Sequence, residues 1–183
     1  MFQLYYWYVQ SELADALLVL DESGTIYYLS LGRWDSLVDL ARKDFGRKRE
    51  YDLSPGKERF KNKMITRTIT HVKQALDHPL KANLSCKGLK YKFVFGTALQ
   101  KDVWTFLIER VGCGETSTYS EVAKQLGRPC IARQVGQACG ANRIAVIVPC
   151  HRIVSVSGDL TGYRWGLNLK KYLLALEKHA DQT

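Results

Sequence analysis

The chain has 183 residues, 46% of them hydrophobic, and carries 27 Lys and Arg against 18 Asp and Glu, a net charge of +9. That length supports one sizeable core or a smaller one plus a compact second domain, and no apolar run reaches the roughly 18 residues of a membrane span. The charge fits an anionic partner, but it is even along the chain (16 bases and 11 acids over 1–96, 11 and 7 over 97–183), so charge alone does not choose DNA over RNA or a membrane surface.

In chain order, residues 1–9 and 16–31 read as strands, with Glu22-Ser23-Gly24 as a hairpin turn in the second stretch. Helices are expected over 37–45 and 59–75, giving an N-terminal α+β domain over 1–90 built on an antiparallel sheet. The stretch 77–90, with Pro79, Asn83, Ser85 and Gly88, reads as a linker to a mostly helical domain over 91–183. Lys43 and Arg47-Lys48-Arg49 form a basic cluster that reads as a solvated loop ahead of a nuclear signal. In the second domain Thr118 to Gly127 is a short helix capped by Thr118 and stopped by glycine. A second helical run, 131–141, follows after Arg128-Pro129, so the pair suggests a helix-turn-helix. This second helix is rich in Ala and Gly and carries one positive charge, Arg133. Small residues permit close backbone approach to a narrow groove or tight packing inside the protein, and composition does not separate the two.

Val148-Pro149-Cys150-His151-Arg152-Ile153 carries the chemistry. A cysteine attacks as the thiolate, which a nearby base or positive charge makes available, and His151 and Arg152 offer both. Neighbouring residues on a turn or helix point about 100° apart, so His151 would take the Cys150 proton through a water. The imidazole then needs a carboxylate on its far side. Of the downstream acids Asp159, Glu177 and Asp181, only Glu177 lies in a helical pattern, 167–178, that folds back rigidly.

From Gly96 to Glu177 the sequence resembles the C-terminal domain of the O6-alkylguanine-DNA alkyltransferases. The matching positions are Gly96-Thr97, Gln100, Val103-Trp104, Gly114-Glu115-Thr116, Tyr119, Arg133-Gln134-Val135-Gly136 and Asn142. Pro149-Cys150-His151-Arg152, Gly162-Tyr163, Gly166, Lys170, Leu173-Leu174 and Glu177 complete them in order. The N-terminal part resembles the family's variable domain only loosely.

The resemblance implies a DNA repair protein that binds duplex DNA, flips out O6-alkylguanine (and O4-alkylthymine), and moves the alkyl group irreversibly onto Cys150. Each molecule would act once, without a cofactor. It assigns Cys150, His151, Glu177, Tyr119 and Asn142 to catalysis, with Tyr119 also meeting the target phosphate and protonating the guanine ring. Arg133 corresponds to the finger that fills the vacated stack, with Thr118, Ala132, Gly136 and Gln137 at the DNA beside it. Val148, Pro149, Ile153, Tyr163, Arg164 and Lys170 would form the substrate pocket, although Lys170 also reads as a solvated helix face and Asn142 as a plain helix C-cap. Arg164 stands where some members carry a serine, and Ile131 and Gln134 where many carry alanine. Cys150 separates the chain from the branch with tryptophan there, which only binds lesions.

The five cysteines are odd in number and form no Cys-x-x-Cys pair, so a reducing compartment is expected. Cys130 and Cys139 read as small packing residues. No metal is expected, since His71, His78 and Cys86 are scattered. No charged-then-apolar leader opens the sequence, and the reading is an intracellular monomer, nuclear in a eukaryote and cytoplasmic in a prokaryote, with damaged double-stranded DNA as its partner. A lesion-binding protein without transfer, or a helix-turn-helix regulator, would share the DNA surface but leave Cys150, Tyr163 and Glu177 without a joint purpose. A thiol hydrolase would use Cys150 and His151 but calls for an oxyanion motif that is not evident.

Overall fold

The computed structural model describes residues 1–78 and 88–178, which group into two compact units, 1–78 with 88–94 and 95–178. Most of the stretch read as a linker, and Cys86, lie outside the described residues. The architecture is α+β, as expected.

The first unit is a four-stranded sheet in the order β3-β2-β1-β4, formed by β1 (Phe2–Val9), β2 (Ala16–Leu20), β3 (Ile26–Leu31) and β4 (Tyr51–Pro55). β1 pairs antiparallel with β2, and β2 with β3, from Tyr5 opposite Leu20 to Ala16 opposite Leu31. β4 was not expected. It runs parallel to β1, Phe2 facing Tyr51, and is reached through α1 (Trp34–Phe45). Every residue of β2 and β3 is buried, because continuous apolar runs suit strands covered on both faces. α2 (Lys63–Asp77) begins later than the expected residue 59. Asn62 caps it by accepting from the backbone N–H of Met64 and Ile65, and a separate 3-10 turn occupies Glu58–Phe60. α2 buries Ile65, Val72 and Leu76, and fastens to the hairpin turn through Thr68 Oγ1 donating to the Gly24 carbonyl at 2.9 Å. Gly24, at φ +76°, admits no side chain, since a Cβ there would lie 2.9 Å from the Met64 carbonyl oxygen.

The second unit starts with α3 (Ala98–Arg110), opened by a reciprocal capping box between Thr97 and Gln100. Trp104 is buried in it and donates its indole N–H to the Ala138 carbonyl at 2.8 Å. Gly96, at φ +94°, leaves room for that ring: a Cβ there would meet Trp104 at 2.5 Å. β5 (Ser117–Thr118) pairs parallel with β6 (Ile153–Val154). Next come α4 (Tyr119–Gln125) and α5 (Ala132–Ala141), joined across a 3-10 turn at Pro129–Ile131 as a helix-turn-helix requires. A second 3-10 turn, Cys150–Arg152, leads into β6, and α6 (Leu167–Lys178) closes the unit. No helix among the described residues is long and apolar enough to cross a membrane.

Candidate active site

Cys150 sits at the start of the 3-10 turn after Pro149, 1% exposed, with His151 and Arg152 also buried in that turn. The chain enters the turn through a strained segment: Val146 has φ +64°, a left-handed conformation that costs a β-branched residue roughly 1–3 kcal/mol. Asn142 holds the segment in place. Its Oδ1 accepts from the Ile144 N–H at 2.8 Å, while Nδ2 donates to the carbonyls of Ile144 and Val148, both at 3.3 Å. Asn142 therefore occupies the C-cap position of α5 and also ties that helix to the cysteine turn.

α6 brings Glu177 back to the turn. Its Oε1 lies 2.9 Å from His151 Nε2, and Arg152 donates Nε to Oε2 at 2.9 Å and Nη2 to Oε1 at 3.0 Å. Arg152 Nη1 also reaches the Val111 carbonyl at 2.8 Å. Burial alone would raise the Glu177 pKa, but the hydrogen bonds from His151 and Arg152 outweigh it and bring the carboxyl down to about 2. With Glu177 ionised and facing Nε2, the imidazole carries its hydrogen there; His151 Nδ1 is buried without a hydrogen-bond partner. Burial lowers the His151 pKa, so the ring is a neutral base at physiological pH.

Arg152 is spent on Glu177, so the charge expected from it at the thiol comes from another residue. Lys170 is fully buried, against the solvated-face reading, and donates Nζ to the carbonyls of Ile153 at 2.6 Å and Thr161 at 2.8 Å. Burial lowers the Lys170 pKa, while Cys139 and Cys150 pull it up. Reciprocally, burial pushes the Cys150 thiol well up, the neighbouring Cys139 adds to that, and Asn142 and Lys170 oppose it. Cys139 is buried on α5, as a packing residue would be, and its proximity adds to the upward push on the Cys150 thiol. At rest Cys150 is a thiol, and its proton must be taken during reaction.

A cavity of about 580 Å³ opens beside α5, lined by Tyr119, Ala132, Arg133, Gly136, Gly140, Thr161, Gly162, Tyr163 and Arg164. It unites Tyr163 and Arg164 with Tyr119, Arg133, Ala132 and Gly136. Val148, Pro149 and Ile153 do not line it; they are buried in the wall that carries Cys150. Thr118 does not line it either. Its hydroxyl caps α4 by accepting from the Glu121 N–H at 3.1 Å. Gln137 is exposed on α5 outside the lining, one turn beyond Arg133. Tyr163 joins the two parts, lining the cavity while its ring meets that of His151 edge-on at 6.2 Å. Arg164 Nη1 reaches the Gly140 carbonyl at 3.3 Å. Gly162 was expected as a matching position beside Tyr163, but Thr161 and Gly140 were not named as pocket residues. Only the nearness of Thr161 to Tyr163 in the chain hinted at either.

Ala138 and Cys139 of α5 are buried, but its glycines are not explained by packing. A Cβ on Gly140 would meet nothing within 4 Å, and one on Gly136 would make ordinary contact, 3.7 Å, with the Tyr119 ring. No group of three or more His, Cys, Asp or Glu side chains able to hold a metal occurs among the described residues, and His71 Nδ1 lies 2.7 Å from the Arg67 carbonyl.

Residues 98–179 match the family model described as 6-O-methylguanine DNA methyltransferase, DNA binding domain. A methylated-DNA–protein-cysteine methyltransferase of Debaryomyces hansenii is 40% identical over 166 residues, 89% of this chain and 85% of that protein. The chain belongs to the methylated-DNA–protein-cysteine methyltransferase family. The protein of the same name from Scheffersomyces stipitis is 38% identical over 97% of this chain and 94% of its own. Similarity to this family extends through both units, including the N-terminal part whose sequence gave only a loose likeness. Among solved structures, the O6-methylguanine methyltransferase of Mycobacterium tuberculosis superposes with a TM-score of 0.68 at 28% identity, covering 97% of this chain and 94% of that one. A structure of that organism's protein in complex with DNA matches equally well, with TM-score 0.68, 28% identity and the same coverage. The buried cluster around Cys150 thus sits in a methyltransferase of this family.

Proposed function

We propose that the protein repairs DNA by flipping an O6-alkylguanine out of the duplex and taking its alkyl group onto Cys150, once per molecule. The observation that carries this reading is the buried Glu177 carboxylate bonded to His151 Nε2 at 2.9 Å, which leaves Nδ1 of the residue next to Cys150 as the free base. The Sγ–H proton passes through one water to Nδ1, and Glu177, itself held in place by Arg152, steadies the ring as it becomes positive. Lys170 offsets the charge of the thiolate. The sulfur attacks the alkyl carbon, an S–C bond forms, and the C–O bond to guanine breaks. Tyr119 gives its phenolic proton to the guanine ring, without which the leaving anion is poor. A thioether has no route back to the thiol under these conditions, so the site is used up.

The DNA reading is supported by α5. Glycines that no internal contact requires face the cavity side, where small residues let a helix approach a narrow groove. Arg133 is exposed on that helix, and its planar guanidinium suits the stack left by the flipped base. Cys150 is 1% exposed, so entry of the base requires the 161–164 segment to give way. Lesion binding without transfer would need the same surface but not the His151–Glu177 pair.

The test is the intact mass of the protein after mixing with a duplex containing one O6-methylguanine. The reading requires one added methyl group, mapped to Cys150, saturating at one per molecule and absent from Cys150→Ala. Folded wild-type protein that stays unmodified under reducing conditions would reduce it to lesion binding.

A further inference from the structure

Tyr119 does not stand alone at the cavity. Its phenol oxygen accepts a hydrogen bond from Thr161 Oγ1 at 3.2 Å, and its O–H points at the Thr161 carbonyl at 3.4 Å. That carbonyl already accepts from Lys170 Nζ at 2.8 Å. The phenolic hydrogen therefore rests on a long bond to an oxygen that a cation has claimed, while one lone pair of the phenol is fixed by a hydroxyl donor. Lys170 in turn anchors Thr161 to the wall of Cys150 through Ile153. One residue of the pocket loop thus addresses both sides of the phenol and is moored to the active-site strand.

We propose that Thr161 is a positioning residue for proton transfer by Tyr119, its hydroxyl holding the phenol oxygen and stabilising the phenolate that remains when the proton leaves. The step balances: the S–C bond forms, the C–O bond to guanine breaks, and the Tyr119 O–H bond is exchanged for an N–H bond on guanine. The negative charge ends on the Tyr119 oxygen, where Thr161 Oγ–H donates to it. The weakly held proton turns to the base without first giving up a strong bond. Burial raises the Tyr119 pKa and the Thr161 hydrogen bond acts against it, which is the direction a donor to the phenolate produces.

This inference rests on the assignment of Tyr119 as proton donor, and the experiment separates the two. Single-turnover methyl transfer from an O6-methylguanine duplex is measured against pH at saturating DNA for the wild type, Thr161→Val, Thr161→Ser, Tyr119→Phe and the Thr161→Val/Tyr119→Phe double variant. Thr161→Val is expected to slow transfer about tenfold, the scale of one hydrogen bond to a charged group at a partly exposed site. Its alkaline limb moves to higher pH, because the phenol loses a donor that favours its ionised form. Thr161→Ser restores rate and limb, and the double variant is no slower than Tyr119→Phe alone. Wild-type rates in Thr161→Val with a slow Tyr119→Phe overturn the role of Thr161 and leave Tyr119 as donor. So does full additivity in the double variant, which would mean that Thr161 only shapes the loop. An unaltered Tyr119→Phe removes the donor assignment itself.

Discussion

Apart from its aromatic side chains, the N-terminal unit buries only Ser30 and Thr68 as polar residues among the described residues, whereas the C-terminal unit buries Asn142, His151, Arg152, Lys170 and Glu177. The first unit is held by apolar area: β2, β3, Ile65, Val72 and Leu76 leave water, each large side chain contributing roughly 1.5–3 kcal/mol. The second spends part of its interior on charges that are costly to desolvate and are tolerated because they are paired. A core made only of aliphatic residues would be simpler to stabilise, but it would offer no base for a buried thiol. On the proposed function the difference marks where the chemistry is, and it fixes how each unit should fail.

The largest effect is expected at Glu177. Removing the carboxylate in Glu177→Ala strands Arg152 and lifts the restraint on His151, and breaking a buried pair costs about 3–5 kcal/mol. Chemical denaturation should show that loss, and single-turnover transfer should fall at least a hundredfold even in the fraction that stays folded. A Glu177→Ala protein with normal transfer would mean that the network is only structural.

Leu18→Ala is the counterpart in the other unit. Leu18 is completely buried in the central strand β2, so truncation should cost about 2–5 kcal/mol by the same denaturation measurement. Below its own transition the variant should transfer methyl groups at the wild-type rate, because nothing in the Cys150 turn has changed. A slowed rate would show that the N-terminal core tunes the site and would erase the contrast.

Acid sharpens it further. Glu177 has its folded pKa depressed to about 2 from 4.5, so its contribution is complete above 4.5 and is lost as the pH falls toward 2. The difference corresponds to about 3 kcal/mol. His151 acts in the same direction: burial lowers its pKa, so below 6.5 the unfolded chain binds a proton that the folded chain resists. Stability of the C-terminal unit therefore declines with falling pH, first through His151 and then through Glu177. The N-terminal core, whose buried Ser30 and Thr68 do not titrate in acid, should lag behind it. Fluorescence from Trp104 and Trp165 against that from Trp7 and Trp34, read in single-tryptophan variants, would resolve two acid transitions; a single one would refute the division.

Much of this was legible in the chain, for physical reasons that differ by residue. β2 and β3 were readable as apolar runs, and the Cys150, His151 and Glu177 grouping followed from what a thiolate needs. β4 was not, because its residues 51–55 are half-exposed and mixed, and its place is set by pairing with β1, far away in sequence. Lys170 was legible in principle. It falls with Leu173, Leu174 and Glu177 on the one buried face of α6, at the spacing of a helix stripe, and its charge disguised it. Thr161 and Gly140 became pocket residues only through the folding of a loop against α5, which no local pattern records.

The smallest expected effect is the most discriminating, because it asks for stability and function to move in opposite directions. Gly136 lies inside α5, and the nearest atoms to an added Cβ are those of the Tyr119 ring at 3.7 Å, an ordinary contact. Replacing glycine by alanine in a helix interior removes unfolded-state entropy and should stabilise the protein by about 0.5–1 kcal/mol. If α5 were small for the sake of its own packing, that would be the whole result. On the reading argued for this helix, the same methyl group stands where the backbone must come close to DNA, so affinity for duplex should fall several-fold while transfer at saturating DNA changes little. Fluorescence anisotropy with a labelled duplex at two salt concentrations measures this. The loss should persist at both, since a steric gap, unlike a lost phosphate contact, leaves the salt dependence of binding unchanged.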